Sequence, residues 1–173
     1  MSLKEDPGAG LLLCLGLGPP EAAACLHAAC FPDEPWPAAD LTVFTRTPGA
    51  LAWHLTARPV AGKQALYALL LARAAGDEAE VLTLAVERAS RRKGLATLLM
   101  NTLIQTLWRR KGRVLFLELA RNNGSAETLY KRLGFRQVGT RQGYYRNGED
   151  ALLMSRSVAG NELFDSFYPN LTT

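Results

Sequence analysis

Glu87-Arg88-Ala89-Ser90-Arg91-Arg92-Lys93-Gly94-Leu95-Ala96-Thr97 lies between an apolar run ending at Val86 and a helical pattern opening near Gly94. Three consecutive cations, Arg91, Arg92 and Lys93, precede a Gly–x–Ala pair. A helix start exposes unpaired N–H groups and partial positive charge, so it attracts anions. Gly94 lets a ligand approach the backbone, and Ala96 keeps bulk off the same surface. The segment lacks the Gly-Lys-Ser/Thr end of a P-loop and the Gly-x-Gly-x-x-Gly spacing of a dinucleotide fingerprint. Taken alone, it reads equally as a solvated basic turn with an incidental helix cap.

A second set of residues could move protons. Glu118 is an acid inside the otherwise apolar run Val114–Leu119, a placement that suits a proton-transferring carboxylate. The alternative is a structural acid paired with Arg121 or Arg113. Glu80 is a rival base, sharing a strand face with Leu82 and Leu84 by alternation. Tyr130 falls one turn inside a predicted helix, where its hydroxyl is a donor or its ring a core aromatic. Asn123, before that helix, suits a cap. Tyr144 and Tyr145 stand together as strand aromatics. His27 and His54 have no nameable partner, and core or surface roles suit them. Cys14, Cys25 and Cys30 read as buried reduced thiols, because four zinc ligands cannot be assembled around them.

These residues need elements to hold them. Pro19-Pro20-Glu21 predicts a helix start and a helix to about Cys30, because Pro suits the first turn. Three prolines in Phe31–Pro37 bar regular structure there. A short helix is expected over about Ala38–Thr47, closed by Pro48-Gly49. Ala50–Ala57, Gln64–Ala74 and Glu80–Val86 read as three strands of an antiparallel meander, turning at Arg58–Gly62 and Gly76-Asp77. Leu95, Leu98, Leu99, Leu103, Ile104 and Leu107 fall at helical spacing, ended by Lys111-Gly112. Val114–Leu119 reads as a central strand covered on both faces. Ser125–Leu133 reads as a helix capped by Gly134. Strands follow at about Arg136–Arg146 and Ala151–Ser157. The expected fold class is mixed α/β.

Length and composition bound the answer. A chain of 173 residues suits one core, and 48% hydrophobic with 21% charged residues is ordinary for a folded domain. No apolar run approaches the roughly 18 to 20 residues a bilayer-spanning helix needs. Gly10–Gly18 reads as a buried strand, since a signal peptide's basic flank and longer apolar core are missing. The net charge of +4 fits a phosphate-rich cofactor as well as nucleic acid. An RNA-binding module built on Arg91, Arg92, Lys93, Arg109, Arg110 and Lys111 would lack an aromatic stacking platform. It would also leave the order Glu118, Tyr130 unexplained, so no direct nucleic-acid binding is expected.

Arg91-x-x-Gly94-x-Ala96 after a strand resembles the acetyl-coenzyme A loop of the GNAT N-acetyltransferase superfamily. The likeness continues through Leu117-Glu118-Leu119, Asn122-Asn123 and Ala126-x-x-Leu129-Tyr130-x-x-Leu133-Gly134-Phe135. Arg141-Gln142-Gly143-Tyr144-Tyr145 and Gly148–Met154 resemble the ribosomal-protein-alanine and related protein N-terminal acetyltransferases. Cys30–Trp36 resembles that branch's entry segment. The resemblance covers about residues 20–157 and is weak over Thr42–Gly76. Arg91 stands where the branch usually has Gln, Arg88 where it has Pro, and Thr97 where Arg is frequent.

The resemblance implies a mixed, mostly antiparallel sheet with helices on both faces. Its strands Glu80–Val86 and Val114–Leu119 would be parallel and splayed into a cofactor cleft. Acetyl-coenzyme A would be the cosubstrate, with no metal. Its pantetheine arm would pair along Leu84, Ala85 and Val86. Arg91 would help to bind its diphosphate, which would sit on the amides of Arg92, Lys93, Gly94, Leu95, Ala96 and Thr97, and Asn123 would touch it. Glu118 would be the base and Tyr130 the acid, with Tyr144 and Tyr145 lining a peptide groove. The acceptor would be a protein N-terminus, a ribosomal protein starting with Ala, in the cytoplasm. A small amine is the alternative acceptor. Residues 1–158 would form one domain and 159–173 a tail.

Overall fold

A computed structural model describes residues 11–57 and 65–158. Its elements are β1 (Leu11–Leu15), α1 (Pro20–Cys30), α2 (Ala38–Thr45), β2 (Ala50–Ala57), β3 (Leu66–Ala75), β4 (Glu78–Val86), α3 (Leu95–Arg109), β5 (Val114–Ala120), α4 (Gly124–Arg132), β6 (Arg136–Arg141) and β7 (Ala151–Ser157). The strands form a seven-stranded sheet of order β1-β2-β3-β4-β5-β7-β6. The β1/β2, β2/β3, β5/β7 and β6/β7 pairs are antiparallel, and β4/β5 is parallel. This is the expected mixed, mostly antiparallel α/β fold. The expected turn at Arg58–Gly62 and the tail lie outside the described residues.

Chain contacts divide the molecule into two units. The first holds the chain up to Arg73 together with Thr83–Leu99. Its core gathers Leu17, Ala23, Leu26, Leu41, Ala52, Leu66, Leu69, Leu71 and Ala85, with Trp36 and Phe44 packed against it. Helix α1 starts with Pro at its first position and ends where the Phe31 N–H donates to the His27 carbonyl at 2.8 Å. Pro32 cannot continue it. His27 is buried, and burial lowers its pKa. Its Nδ1 accepts the Trp36 N–H at 3.1 Å and its ring stacks on Trp36, which fixes the proline-rich segment. His54 is likewise a buried residue, with Nδ1 3.0 Å from the Gly16 carbonyl.

Two expectations fail in this unit. β1 is an edge strand and not a buried one: Leu15 is 80% exposed. Among the described residues no strand pairs beyond it, and Leu12 and Leu15, on opposite faces by alternation, are both exposed. The cysteines are reduced, but Cys25 is exposed and Cys14 and Cys30 are only partly covered. Helix α1 turns Ala23, Leu26 and His27 inward, and that leaves Cys25 on the outer face.

The second unit holds Ala74–Leu82 and the chain from Met100. Leu103, Ile104, Leu107, Leu115, Leu117, Leu119, Phe135 and Met154 are among its buried side chains. Along β5 burial alternates, so Leu115, Leu117 and Leu119 are fully covered while Phe116 and Glu118 are half-buried. The strand is central, as expected, but one of its faces stays open enough to carry an acid. Helix α4 ends with Gly134 at φ +82°, the left-handed stop that glycine allows. The Arg156 guanidinium donates to the Leu133 carbonyl at that same end.

β6 stops at Arg141, five residues short of the expected end. Gly143 and Gly148 take left-handed φ of +58° and +79°, and the Tyr145 N–H donates to the Glu149 carbonyl at 3.1 Å. Tyr144 and Tyr145 therefore sit in a turn and not in a strand.

Candidate active site

The first part of the candidate site is the end of β4 and the loop after it. A single 3₁₀ turn, Arg88–Ser90, follows the strand, and the Ser90 hydroxyl donates to Glu87 at 2.7 Å. Arg92 and Gly94 then take left-handed φ of +64° and +81° before α3 begins at Leu95. For arginine that backbone is uncommon and costs energy. The result is an α3 start whose first amides lack helical acceptors. A Cβ on Gly94 would meet nothing within 4 Å, so the space a ligand would need is clear. Arg91, Arg92, Lys93 and Gly94 are exposed, and Ala96 and Thr97 half-buried.

Arg91 is engaged within this unit. Its Nε–H donates to the Val86 carbonyl at 3.1 Å, and its Nη2 lies 3.8 Å from the Cys30 sulfur. The Cys30 thiol donates to the same carbonyl at 3.4 Å. Arg92 and Lys93 are thus the outward cations of the triplet, while Arg91 ties the loop to the strand.

The second part is built on the start of β4 (78–82), β5, β6 and the turn after β6, all within the second unit. In the parallel ladder Glu80 pairs with Phe116, so Glu118 is its diagonal neighbour on the same face. Glu118 pairs with Leu153 on β7, and Leu153 pairs with Gly139 on β6. The adjacent row on that face is Ala120, Ala151 and Arg141. Small residues leave room for Arg141 to reach across β7, where its Nε lies 2.9 Å from Glu118 Oε1. The Glu118 side chain is only 11% exposed, against 59% for Arg141. Arg113 pairs instead with Asp77 and Arg121 with Asp150, so neither anticipated partner holds Glu118.

Tyr144 completes the cluster. The Glu118 carboxylate beside it, as an acceptor for its hydroxyl, is the first reason its pKa rises; burial adds to the rise, Glu118 and Glu80 charges reinforce it, and Arg141 opposes it. The Arg141 guanidinium lies 5.4 Å from the Tyr144 ring centroid. Tyr145 packs edge-on against Tyr144 at 5.2 Å. Tyr130 is buried with its ring against Phe135, and burial, then the neighbouring Tyr145, pushes its pKa up. At neutral pH it keeps its proton and has one to give.

The turn carrying Tyr144 and Tyr145 is fastened to the β5–α4 loop. Asp150 accepts the Gly143 N–H through one carboxylate oxygen at 3.0 Å and pairs with Arg121 through the other at 3.1 Å. Glu149 accepts the Asn122 N–H at 2.7 Å. Asn123 follows and caps α4, accepting the Ala126 N–H at 3.1 Å. The cap role expected of Asn123 is present. The pair Glu149-Asp150 is spent on these bonds.

In the sequence Arg141 stands inside the resembling motif with no role of its own. Nothing local marks it, because its reach to Glu118 depends on the β5/β7 and β7/β6 registers together.

Residues 22–135 match the Acetyltransferase (GNAT) family. The N-alpha-acetyltransferase RimI of Mycobacterium tuberculosis is 34% identical over 127 residues, covering 72% of this chain and 77% of that protein. The crystal structure of the ribosomal-protein-S18-alanine N-acetyltransferase from Escherichia coli superposes with a TM-score of 0.73 at 26% identity, over 86% of this chain and 94% of the other. Arabidopsis thaliana NAA60, crystallised with acetyl-CoA, has a TM-score of 0.75 at 20% identity, over 87% and 99% of the two chains, and so shares the fold. Among the described residues no helix is long and apolar enough to cross a membrane.

Proposed function

The chain belongs to the GNAT acetyltransferase family, and from that premise we propose that it moves the acetyl group of acetyl-coenzyme A onto the N-terminal α-amine of a protein. The observation that carries this reading is Glu118: a well-covered carboxylate, 11% exposed and met by Arg141 Nε at 2.9 Å, on a sheet face whose rim Tyr144 is 50% exposed. A carboxylate beside open aromatics suits an amine at the end of a peptide. The names of the relatives, an N-alpha-acetyltransferase and an S18-alanine acetyltransferase, support a ribosomal protein starting with Ala as the acceptor. That target puts the reaction in the cytoplasm. The family match draws on both contact units, which supports one catalytic domain over residues 1–158 with 159–173 as a tail.

The α3 start, from Arg92 to Thr97, holds the diphosphate, with Arg91 beside it and Asn123 as a further contact. The pantetheine arm runs along Leu84, Ala85 and Val86. The bound cosubstrate supplies the acetyl thioester. Two protons must leave the α-ammonium as the C–N bond forms and the C–S bond breaks. Glu118 takes one and passes it to water. The other leaves the nitrogen as the C–S bond breaks and restores Tyr130, which has given its own proton to the departing thiolate, so the products are the amide, the free thiol and one proton in water. Glu80 on the same face is the rival for the first task. Tyr144 and Tyr145 border the path of the peptide.

An α-amine titrates near 8 and a lysine side chain near 10.4, a gap of roughly 3.3 kcal/mol in deprotonation. One carboxylate therefore serves an N-terminus far better than a lysine. The test is a panel with acetyl-coenzyme A: Ala-first peptides, the same peptides blocked at the N-terminus but bearing lysines, spermidine and an aminoglycoside. The Ala-first peptides should turn over fastest. Faster turnover of the blocked peptides or the small amines overturns the reading and makes the enzyme a small-amine or lysine acetyltransferase.

A further inference from the structure

The ion pair on Glu118 has no part in the proton steps above, yet it covers the group that must carry one of them. Arg141 comes from the end of β6 and spans β7 to place Nε 2.9 Å from Glu118 Oε1. Its guanidinium lies 5.4 Å from the ring centroid of Tyr144, which stands beside the same carboxylate. Arg141 thus joins side chains from β5 and from the turn after β6 into one cluster. We propose that Arg141 is a positioning residue for acetyl transfer: it holds the Glu118 carboxylate in the rotamer that meets the incoming amine, and it yields that oxygen when the amine arrives. This rests on Glu118 being the base.

A guanidinium on a carboxylate has two opposed consequences. It fixes the rotamer, and it competes with an arriving ammonium for the same oxygen. The exposures decide between them. Glu118 is 11% exposed and Arg141 59%, so water screens the outer half of the pair and its hold is weak enough to displace. The orientation it leaves behind is kept by the buried stem of Glu118 and by Tyr144. Arginine suits this task better than lysine, because a planar guanidinium can bond sideways through Nε and lie on a ring at once.

The split between kcat and KM reads this directly. Arg141→Gln should lower kcat by about tenfold, part of the 10²- to 10⁴-fold a general base supplies. The KM for an Ala-first peptide should stay level or fall, since a competitor for the carboxylate is gone. Arg141→Lys should recover part of the lost kcat. Because Arg141 acts through Glu118, Glu118→Gln with Arg141→Gln should be no slower than Glu118→Gln alone. Acetyl-coenzyme A affinity and the thermal midpoint are measured on every variant, and both should hold. Unchanged kcat in Arg141→Gln overturns the proposal. So does a raised peptide KM at unchanged kcat, or a double variant slower than Glu118→Gln by the full single effect. A fully active Glu118→Gln instead overturns the base assignment, which separates the two failures.

Discussion

The Nε–H of Arg91 donates to the carbonyl oxygen of Val86 at 3.1 Å. The first cation of the basic triplet is thereby folded back onto the strand it follows, and the Cys30 thiol reaches the same oxygen. Arg91 ties down the loop while Arg92 and Lys93 face outward. The pantetheine arm proposed to pair along β4 would meet a carbonyl at Val86 that already has two donors, and its bonds there would be shared ones.

Ala96→Glu should weaken acetyl-coenzyme A binding by about 10²-fold while the fold survives. A carboxylate at a helix start is compatible with the helix itself, but it repels a second anion seated on the same amides. Calorimetry against coenzyme A, with a thermal melt as control, checks both halves. Gly94→Val is the less clean variant: the space around its Cβ is open, but φ of +81° strains any branched residue.

Glu118→Gln should lower turnover by about 10²-fold or more, with acetyl-coenzyme A affinity little changed. Glu80→Gln is the necessary companion, because the two acids are diagonal neighbours on one sheet face. Steady-state kinetics on an Ala-first peptide decide between them. If the larger loss follows Glu80→Gln, the base is on β4.

Tyr130→Phe should also lower turnover, by about 10²-fold, through loss of the proton donor to sulfur. It has a second signature. Burial raises the Tyr130 pKa, whereas the unfolded phenol ionises near 10. Stability is therefore complete below about pH 10 and declines as pH climbs above it toward the folded value. Urea unfolding at about pH 8 and about pH 10.5 should show this fall in the parent protein and a smaller one in Tyr130→Phe. Tyr144, shifted in the same direction, keeps part of the fall. A Phe variant with full activity reduces Tyr130 to packing.

Asp150→Ala cuts the two side-chain bonds that fasten the Tyr144–Tyr145 turn, to Gly143 and to Arg121. These groups are partly exposed, so the expected loss of stability is about 1 kcal/mol. The peptide KM should rise several-fold, because Tyr144 and Tyr145 lose their fixed position, and acetyl-coenzyme A affinity should not change. Parallel kinetics with both substrates varied separate the two.

Much of this was legible in the chain itself. Local rules set α1 at Pro20–Cys30, β2 at Ala50–Ala57 and the left-handed stop at Gly134, because proline, alternation and glycine act within a few residues of themselves. The Arg91-x-x-Gly94-x-Ala96 segment, the acid in β5 and the tyrosine of α4 were also readable, since each is a residue type in a local setting. Other features were decided only when strands met. Leu11–Leu15 looks buried in the sequence but lies at the sheet edge, because position in a sheet is a property of neighbours. Tyr144 and Tyr145 leave the strand at Arg141, because Asp150 closes the turn from the other side. Glu118 pairs with Arg141 and not with the nearer Arg113 or Arg121. That choice follows from the combined register of β5, β7 and β6, which lays Ala120, Ala151 and Arg141 in one row beside Glu118. Register is fixed by the packing of whole faces, and no spacing along the chain encodes which arginine will cross it.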